Sequence, residues 1–255
     1  MDNKLNLKIA SFNISGGFYI GNEDSEYLDR EAVDSVDNIL LEQIINTIKE
    51  EDLDVICFQE IITTERINYI QTIAEKTELK YFDFYELSEC NIVKDTNCGI
   101  AIFSKYPMEC IKKAMFPNPR LSKTTSSGNT YYTYDKGYMI CEVELLDKKI
   151  KILTHHGFPY RRFNSTPENN KPVFEAFDNV IEEHNLDIIT GDFNADNFMD
   201  LMDKTSKKYK RTINSVTTVD GKMFDDILVS KQIEYNSKII KLLSDHYIVI
   251  DEINY

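Results

Sequence analysis

Short apolar, β-prone runs that each stop on a polar residue recur along this chain, and they constrain its fold more than any other feature. Leu5 to Phe12 alternates apolar and polar residues and delivers Asn13. Asp54 to Phe58 is continuously apolar and ends on Gln59 and Glu60, Lys149 to Thr154 ends on His155, and Leu186, Ile188 and Ile189 lead through Gly191 to Asp192 and Asn194. Alternation marks a half-buried strand, and a short continuous run bounded by turn residues marks a strand buried on both faces. Helical patterns lie between them. Ala32 to Glu51 places Val33, Val36, Ile39, Leu40, Ile44, Ile45 and Ile48 at three- and four-residue steps, while Thr64 to Thr77 and Lys171 to His184 read as further helices. Strands alternating with helices in this way specify an α/β fold.

Gly99 to Ser104 reads as another buried strand, and Tyr138 to Leu146 forms a hairpin with the run ending on His155, joined at Asp147-Lys148. Asp196 to Met202 reads as a short helix, Asp225 to Ser230 as a strand, Lys238 to Leu243 as an edge strand and Tyr247 to Ile250 as the final strand. Residues 116–136, with two prolines and a Ser-Gly-Asn stretch, read as a long functional loop. Neither an internal repeat nor a linker interrupts the chain, so residues 1–255 read as a single domain.

Composition limits what such a domain can grip. The 255 residues carry a formal net charge of −14, which works against non-specific adhesion to nucleic acid or an anionic membrane. A polyanionic substrate must then be held by a local basic patch or by metal ions. No run approaches the roughly 18 apolar residues of a membrane span, and the first residues lack the apolar core of a signal peptide, so stable membrane insertion is not expected and the sequence reads as cytoplasmic. The five cysteines show no metal-ligand spacing and no disulfide framework.

The polar residues at the strand ends are Asn13, Glu60, His155, Asp192 with Asn194, and, just before the last strand, Asp245 with His246; Asp225 sits at a strand start, as an antiparallel neighbour would. If the strands share one core, these groups meet at one rim. Oxygen ligands without thiolates favour Mg²⁺ or Mn²⁺. A histidine backed by an aspartate suits general acid or base work.

The strings Ile-Ala-Ser-Phe-Asn-Ile (9–14), Phe-Gln-Glu (58–60), Gly-Ile-Ala-Ile-Phe-Ser-Lys-Tyr-Pro (99–107), Leu-Thr-His (153–155), Gly-Asp-Phe-Asn (191–194), Asp-Asp-Ile-Leu-Val-Ser (225–230) and Ser-Asp-His (244–246) resemble, in order, the motifs of the endonuclease/exonuclease/phosphatase superfamily, in its deoxyribonuclease and sphingomyelinase-like branch. The resemblance implies a four-layered α/β sandwich, two mixed β-sheets face to face with helices outside, and metal-dependent hydrolysis of a phosphoester. It implies that Glu60 is the principal ligand of Mg²⁺ or Mn²⁺, with Asn13 orienting it and Asp245 helping. By the same resemblance His246, paired with Asp225, handles the water or the phosphate, Asp192 positions the nucleophile or assists the leaving group, and Asn194 and His155 hold phosphate oxygens. A second acid, Asp226, follows Asp225, and a one-residue slip would make it the partner of His246.

Nucleic acid is the leading substrate, with a phospholipid or an inositol phosphate as alternatives. A different class of protein, a catalytically silent binding module on the same scaffold, would have no use for the full set of polar residues. Two further segments invite a substrate role. Gly157 to Phe163 leaves the histidine pair and offers Arg161 and Arg162 for a second phosphate and the ring of Tyr160 for stacking. Lys204 to Arg211 is a basic run on an acidic chain, either a phosphate-backbone patch or a solvated turn.

Overall fold

The computed structural model describes residues 6–17, 30–63, 68–90, 96–126, 128–146 and 148–255, with the side chains of residues 30–38 outside that description. The side chains of Val33 and Val36, the start of the Thr64 to Thr77 helix and Asp147 of the hairpin turn therefore lie outside that description. Fourteen strands occur in the described residues. In chain order they are β1 (Asn6–Asn13), β2 (Val55–Ile62), β3 (Tyr81–Glu89), β4 (Asn97–Ser104), β5 (Met108–Met115), β6 (Ser122–Thr124), β7 (Thr130–Tyr132), β8 (Gly137–Leu145), β9 (Lys148–His156), β10 (Ile188–Asp192), β11 (Tyr209–Arg211), β12 (Asp225–Ser230), β13 (Glu234–Ile240) and β14 (Ile248–Asn254). The α-helices are α1 (Arg30–Glu50), α2 (Tyr69–Lys76), α3 (Lys171–His184) and α4 (Asp203–Lys208).

Two mixed six-stranded sheets carry the fold, one ordered β13-β14-β1-β2-β4-β3 and the other β11-β12-β10-β9-β8-β5. The period-2 alternation explains how they stack. Leu7 and Ile9 of β1, Val55 and Cys57 of β2, Ile150 and Ile152 of β9 and Ile188 of β10 point into one shared inter-sheet core. Ala10, Phe12, Ile56 and Phe58 point the other way, against Leu40, Leu41, Ile44, Ile45 and Ile48 of α1 and against α2. On the far side Leu153 and Ile189 meet Val173, Phe174, Phe177 and Ile181 of α3. The result is helix, sheet, sheet, helix: the four-layered sandwich. Each such Ile or Phe contributes roughly 1.5–3 kcal/mol by leaving water.

The parallel pairs β1–β2 and β9–β10 put Asn13 beside Gln59 and Asp192 beside His156 at neighbouring strand ends. Gly191 sits where β9 comes closest. Its φ is 149°, and a Cβ there would stand 2.3 Å from the carbonyl oxygen of His155, so no larger residue fits.

Four expectations shift. Helix α2 starts at Tyr69, where the side chain of Asn68 caps it by accepting from the N–H of Gln71. Residues 116–136 are not structureless: β6 and β7 pair within them, and Phe116 N–H donates to the Lys136 carbonyl at their base. The predicted edge strand at Lys238 begins earlier, as β13, and β14 runs past Ile250 because Asp251 is itself buried between the sheets. Strands β3 and β5 escape the apolar pattern because both are sheet edges, where half-exposed and charged residues such as Lys112 and Lys113 replace a continuous apolar run.

Candidate active site

A bulge aims the first of the rim residues. β2 pairs with β4 through Gln59 opposite Ile100 and then Ile61 opposite Gly99, which leaves Glu60 as the extra residue, with φ of 54°. A left-handed, non-glycine backbone of this kind costs on the order of 1–3 kcal/mol and recurs where a side chain must be re-aimed. Gln59 stays buried and donates from Nε2 to Thr154 Oγ1 of the other sheet at 3.1 Å. Glu60 turns out to the rim, its side chain 13% exposed.

Asp192 lies at the centre. Asn13 donates from Nδ2 to Asp192 Oδ2 at 3.0 Å, across the two sheets. Asn194, itself at φ of 50°, donates from its backbone N–H to Asp192 Oδ1 at 2.7 Å and from Nδ2 to Oδ2 at 3.0 Å. Burial, and then the nearby Asp225, push the Asp192 carboxyl up to about 7, against the opposing pull of His246, Asn194 and Asn13. Such a group accepts and releases a proton near neutrality.

His246 stands between two carboxylates, with Nδ1 2.8 Å from Asp225 Oδ2 and Nε2 3.9 Å from Asp192 Oδ2. The carboxylate can only accept, so Nδ1 carries a hydrogen. Burial pulls the His246 pKa down, but Asp225, Asp192 and Asp245 outweigh it and hold the imidazole well above its ordinary value. The choice between the adjacent aspartates is settled by β12: Asp225 faces His246, whereas Asp226 turns away to accept from Arg211 Nε at 2.5 Å and from the N–H groups of Thr212 and Ile213. Asp245 follows Ser244, whose hydroxyl donates to the Asn13 carbonyl at 3.1 Å, so the Ser-Asp-His turn is fastened to the end of β1.

Two residues of this cluster are absent from the sequence reading. His156, not His155, enters the site: its Nε2 is 3.6 Å from Glu60 Oε1 and 3.6 Å from Asp192 Oδ2. Lys136, 5% exposed, places Nζ 3.1 Å from His156 Nδ1 and 3.7 Å from Glu60 Oε1. Burial and the ammonium drive the His156 pKa well below ordinary, leaving a neutral ring. Nδ1, the nitrogen nearer Lys136, accepts, and Nε2–H is then directed at the two carboxylates.

The sequence reading that puts a phosphate on His155 is corrected by the structure. β9 runs one residue further than the apolar pattern, and alternation places His155 on the outer face with Leu153, among Phe116, Phe177 and Phe193. Neither ring nitrogen has a hydrogen-bond partner, and burial lowers the pKa to about 3. The signal was available: Ile150, Ile152, Thr154 and His156 share one face.

Tyr160 also leaves the expected role. It is 1% exposed and packed on Phe174, so its ring offers no face to a base. Arg161 is exposed and pairs with Asp220 at 3.3 Å, in the loop whose Thr218 bridges to His246; Arg162 is exposed beside it. The basic run is largely engaged by its own fold. Lys204 and Lys208 pair with Glu182, Lys210 lies over the ring of Tyr235, and Arg211 anchors Asp226.

A family model described as "Endonuclease/Exonuclease/phosphatase family" matches residues 10–246. No curated protein matches the chain by sequence. Among solved structures, the human Nocturnin catalytic domain with bound sulfate superposes with a TM-score of 0.62 at 15% identity, covering 98% of this chain and 93% of that one. A mannosyl-6-phosphatase from Bacteroides thetaiotaomicron gives 0.59 at 16% identity, covering 98% and 100%. ANGEL2, a 2',3'-cyclic phosphatase in complex with adenosine-2',3'-vanadate, gives 0.64 at 12% identity, covering 99% and 96%. At these identities the likeness is one of fold, and the two phosphatases among them differ in substrate.

Proposed function

Since this chain belongs to the endonuclease/exonuclease/phosphatase family, whose members hydrolyse phosphoesters, we propose that it is a Mg²⁺- or Mn²⁺-dependent phosphodiesterase acting on nucleic acid. The observation that carries this reading is the cluster in which the Asp225–His246 pair, at 2.8 Å, faces Asp192 while Glu60 opens to the rim.

The residues present fit a hard cation. Glu60 offers a partly open carboxylate, Asp245 lies in the turn fastened to the end of β1, Asn13, whose side-chain oxygen accepts from the Ser15 N–H at 2.9 Å, serves to orient, and no thiolate competes. Asp192, Asp225 and His246 also form a group of possible ligands, but Asp225 is already spent on the His246 N–H and Asp192 on two asparagines, so Glu60 is the better anchor. When bound, the cation would polarise a phosphoryl oxygen as a Lewis acid.

The chain's own groups divide the remaining work. Asp192, with a carboxyl near neutrality, takes the proton of the attacking water, and Asn13 and Asn194 hold that carboxylate in register. His246, fixed and kept charged by Asp225, hydrogen-bonds a non-bridging phosphate oxygen, and the neutral Nε2–H of His156 and the ammonium of Lys136 meet the same phosphate as negative charge builds in the transition state. The exposed Arg161 and Arg162, on the loop leaving His156, support a diester substrate with a neighbouring phosphate. With a net charge of −14 and a basic run mostly paired internally, binding rests on a few local contacts. The salt dependence of nucleic-acid affinity is therefore shallow, at roughly −0.9 per phosphate contacted.

The test is a side-by-side assay of plasmid DNA, RNA, sphingomyelin, inositol phosphates and bis-p-nitrophenyl phosphate after EDTA treatment, with Mg²⁺, Mn²⁺ or Zn²⁺ added back. Restored cleavage of nucleic acid by Mg²⁺ or Mn²⁺ is expected. Turnover of the lipid or inositol phosphate alone would replace the substrate, recovery with Zn²⁺ alone would replace the metal, and no turnover of any phosphoester would leave a binding module.

A further inference from the structure

We propose that Cys110 and Cys141 form a reactive dithiol, a modification site at which a small-molecule disulfide closes a reversible cross-strand disulfide between β5 and β8. The register sets the geometry. Cys110 is the direct antiparallel partner of Cys141. Directly opposed residues in such a ladder have Cα atoms about 4.5 or 5.5 Å apart, and both spacings fall within the roughly 4.4–6.8 Å that a disulfide spans. Cys110 Sγ donates to the Lys112 carbonyl at 3.6 Å, and the two thiols are near enough to shift each other's pKa. A bulge between Cys110 and Lys112 gives the edge strand slack for the small movement that brings sulfur to bonding distance.

The two sulfurs differ in access and in acidity. Cys110 is half-buried on the edge strand of its sheet and open to a reagent, whereas Cys141 is fully buried between the sheets. The adjacent Cys141 thiol lowers the pKa of Cys110 and Lys113 assists, opposed by burial and Asp83; the adjacent Cys110, with burial, raises Cys141. Cys110 is therefore the attacking thiolate and Cys141 the resolving thiol. Its sulfur opens the reagent's S–S bond, forming a mixed disulfide and releasing one thiolate. Cys141 then loses its proton and attacks the Cys110 sulfur, releasing the second. Two protein thiols and one reagent disulfide become one protein disulfide and two small thiols, with the two protons carried off by the leaving thiolates. Cys90 and Cys98 also influence each other, but both are buried and the Cys98 pKa is well above ordinary, so that pair lacks an accessible thiolate.

The experiment incubates the full chain with oxidised glutathione, alkylates the remaining thiols, and maps the peptides by mass. The expected product has lost two hydrogens, about 2 Da, carries a Cys110–Cys141 linked peptide, and melts several degrees higher until dithiothreitol returns it to the starting value. Cys141→Ala is expected to stop at a glutathione adduct on Cys110, and Cys110→Ser to give neither adduct nor link. Alkylation of both Cys110 and Cys141 after incubation, or a Cys90–Cys98 link in their place, overturns the proposal. If Cys141→Ala does not fold, the linked peptide in the wild type and its loss in Cys110→Ser decide the question.

Discussion

Adjacent histidines in one strand, with opposite surroundings, allow the site to be tested one residue at a time. His156→Ala removes a hydrogen-bond donor facing Glu60 and Asp192, and turnover is expected to fall at least about a hundredfold. His155→Leu removes a buried imidazole with two unpartnered nitrogens, so turnover stays within about threefold of wild type and urea unfolding shows equal or greater stability, by up to about 2 kcal/mol. The reverse ranking would return His155 to the site. Glu60→Gln and His246→Ala are each expected to lower turnover by at least about two orders of magnitude with cooperative unfolding kept, as read by kcat and a denaturant melt. The positions of Asn13, Glu60, Asp192, Asn194, Asp245 and His246 were legible because each closes or opens an apolar run. His156 was hidden because two consecutive histidines can be told apart only once the face of the strand is known. Lys136 was hidden because it ends a polar stretch, and nothing local announces that its stem and ammonium are buried.

Whole elements were legible where burial on both faces forces a continuous apolar run, as in β2, β10 and β12, and illegible where an edge relaxes that demand, as in β3 and β5. The basic run beginning at Lys204 shows a related limit: sequence counts charges but does not see what neutralises them. Helix α4 packs against α3, Glu182 of α3 meets Lys204 and Lys208, and Arg211 is committed to Asp226. Replacing Lys207, Lys208 and Lys210 together by glutamine is accordingly expected to leave nucleic-acid affinity within about threefold and its salt slope unchanged, measured by fluorescence anisotropy across a salt series. A slope reduced by about two or more would make the run a phosphate-backbone contact after all.

At the scale of the molecule, the seam between the sheets carries a cost that depends on pH. Asp251 is fully buried there, neither oxygen has a donor in hydrogen-bond geometry, and burial lifts its pKa to about 7, partly offset by Ser237 and Thr212. An unfolded aspartate titrates near 3.9. Between about pH 4 and pH 7 the folded chain thus holds a proton that the unfolded chain has released, so this group's contribution favours folding at low pH and is lost as pH rises, by on the order of 4 kcal/mol. Asp251→Asn is expected to match wild type near pH 4 and exceed it near pH 8 in urea unfolding; an equal gap at both pH values would deny the shifted titration. The same seam joins two incomplete halves of the chemistry. Asn13, Glu60 and His246 come from one sheet or the turn leading into it, while His156, Asp192 and Asp225 come from the other, and they meet through the Asn13–Asp192, Gln59–Thr154 and His246–Asp225 bonds. Catalysis is thereby a gauge of alignment between layers: a slip of one ångström in the packing of Ile9 or Ile152, far from any phosphate, disengages both halves at once, and lost turnover becomes an early sign that the sandwich has begun to shear.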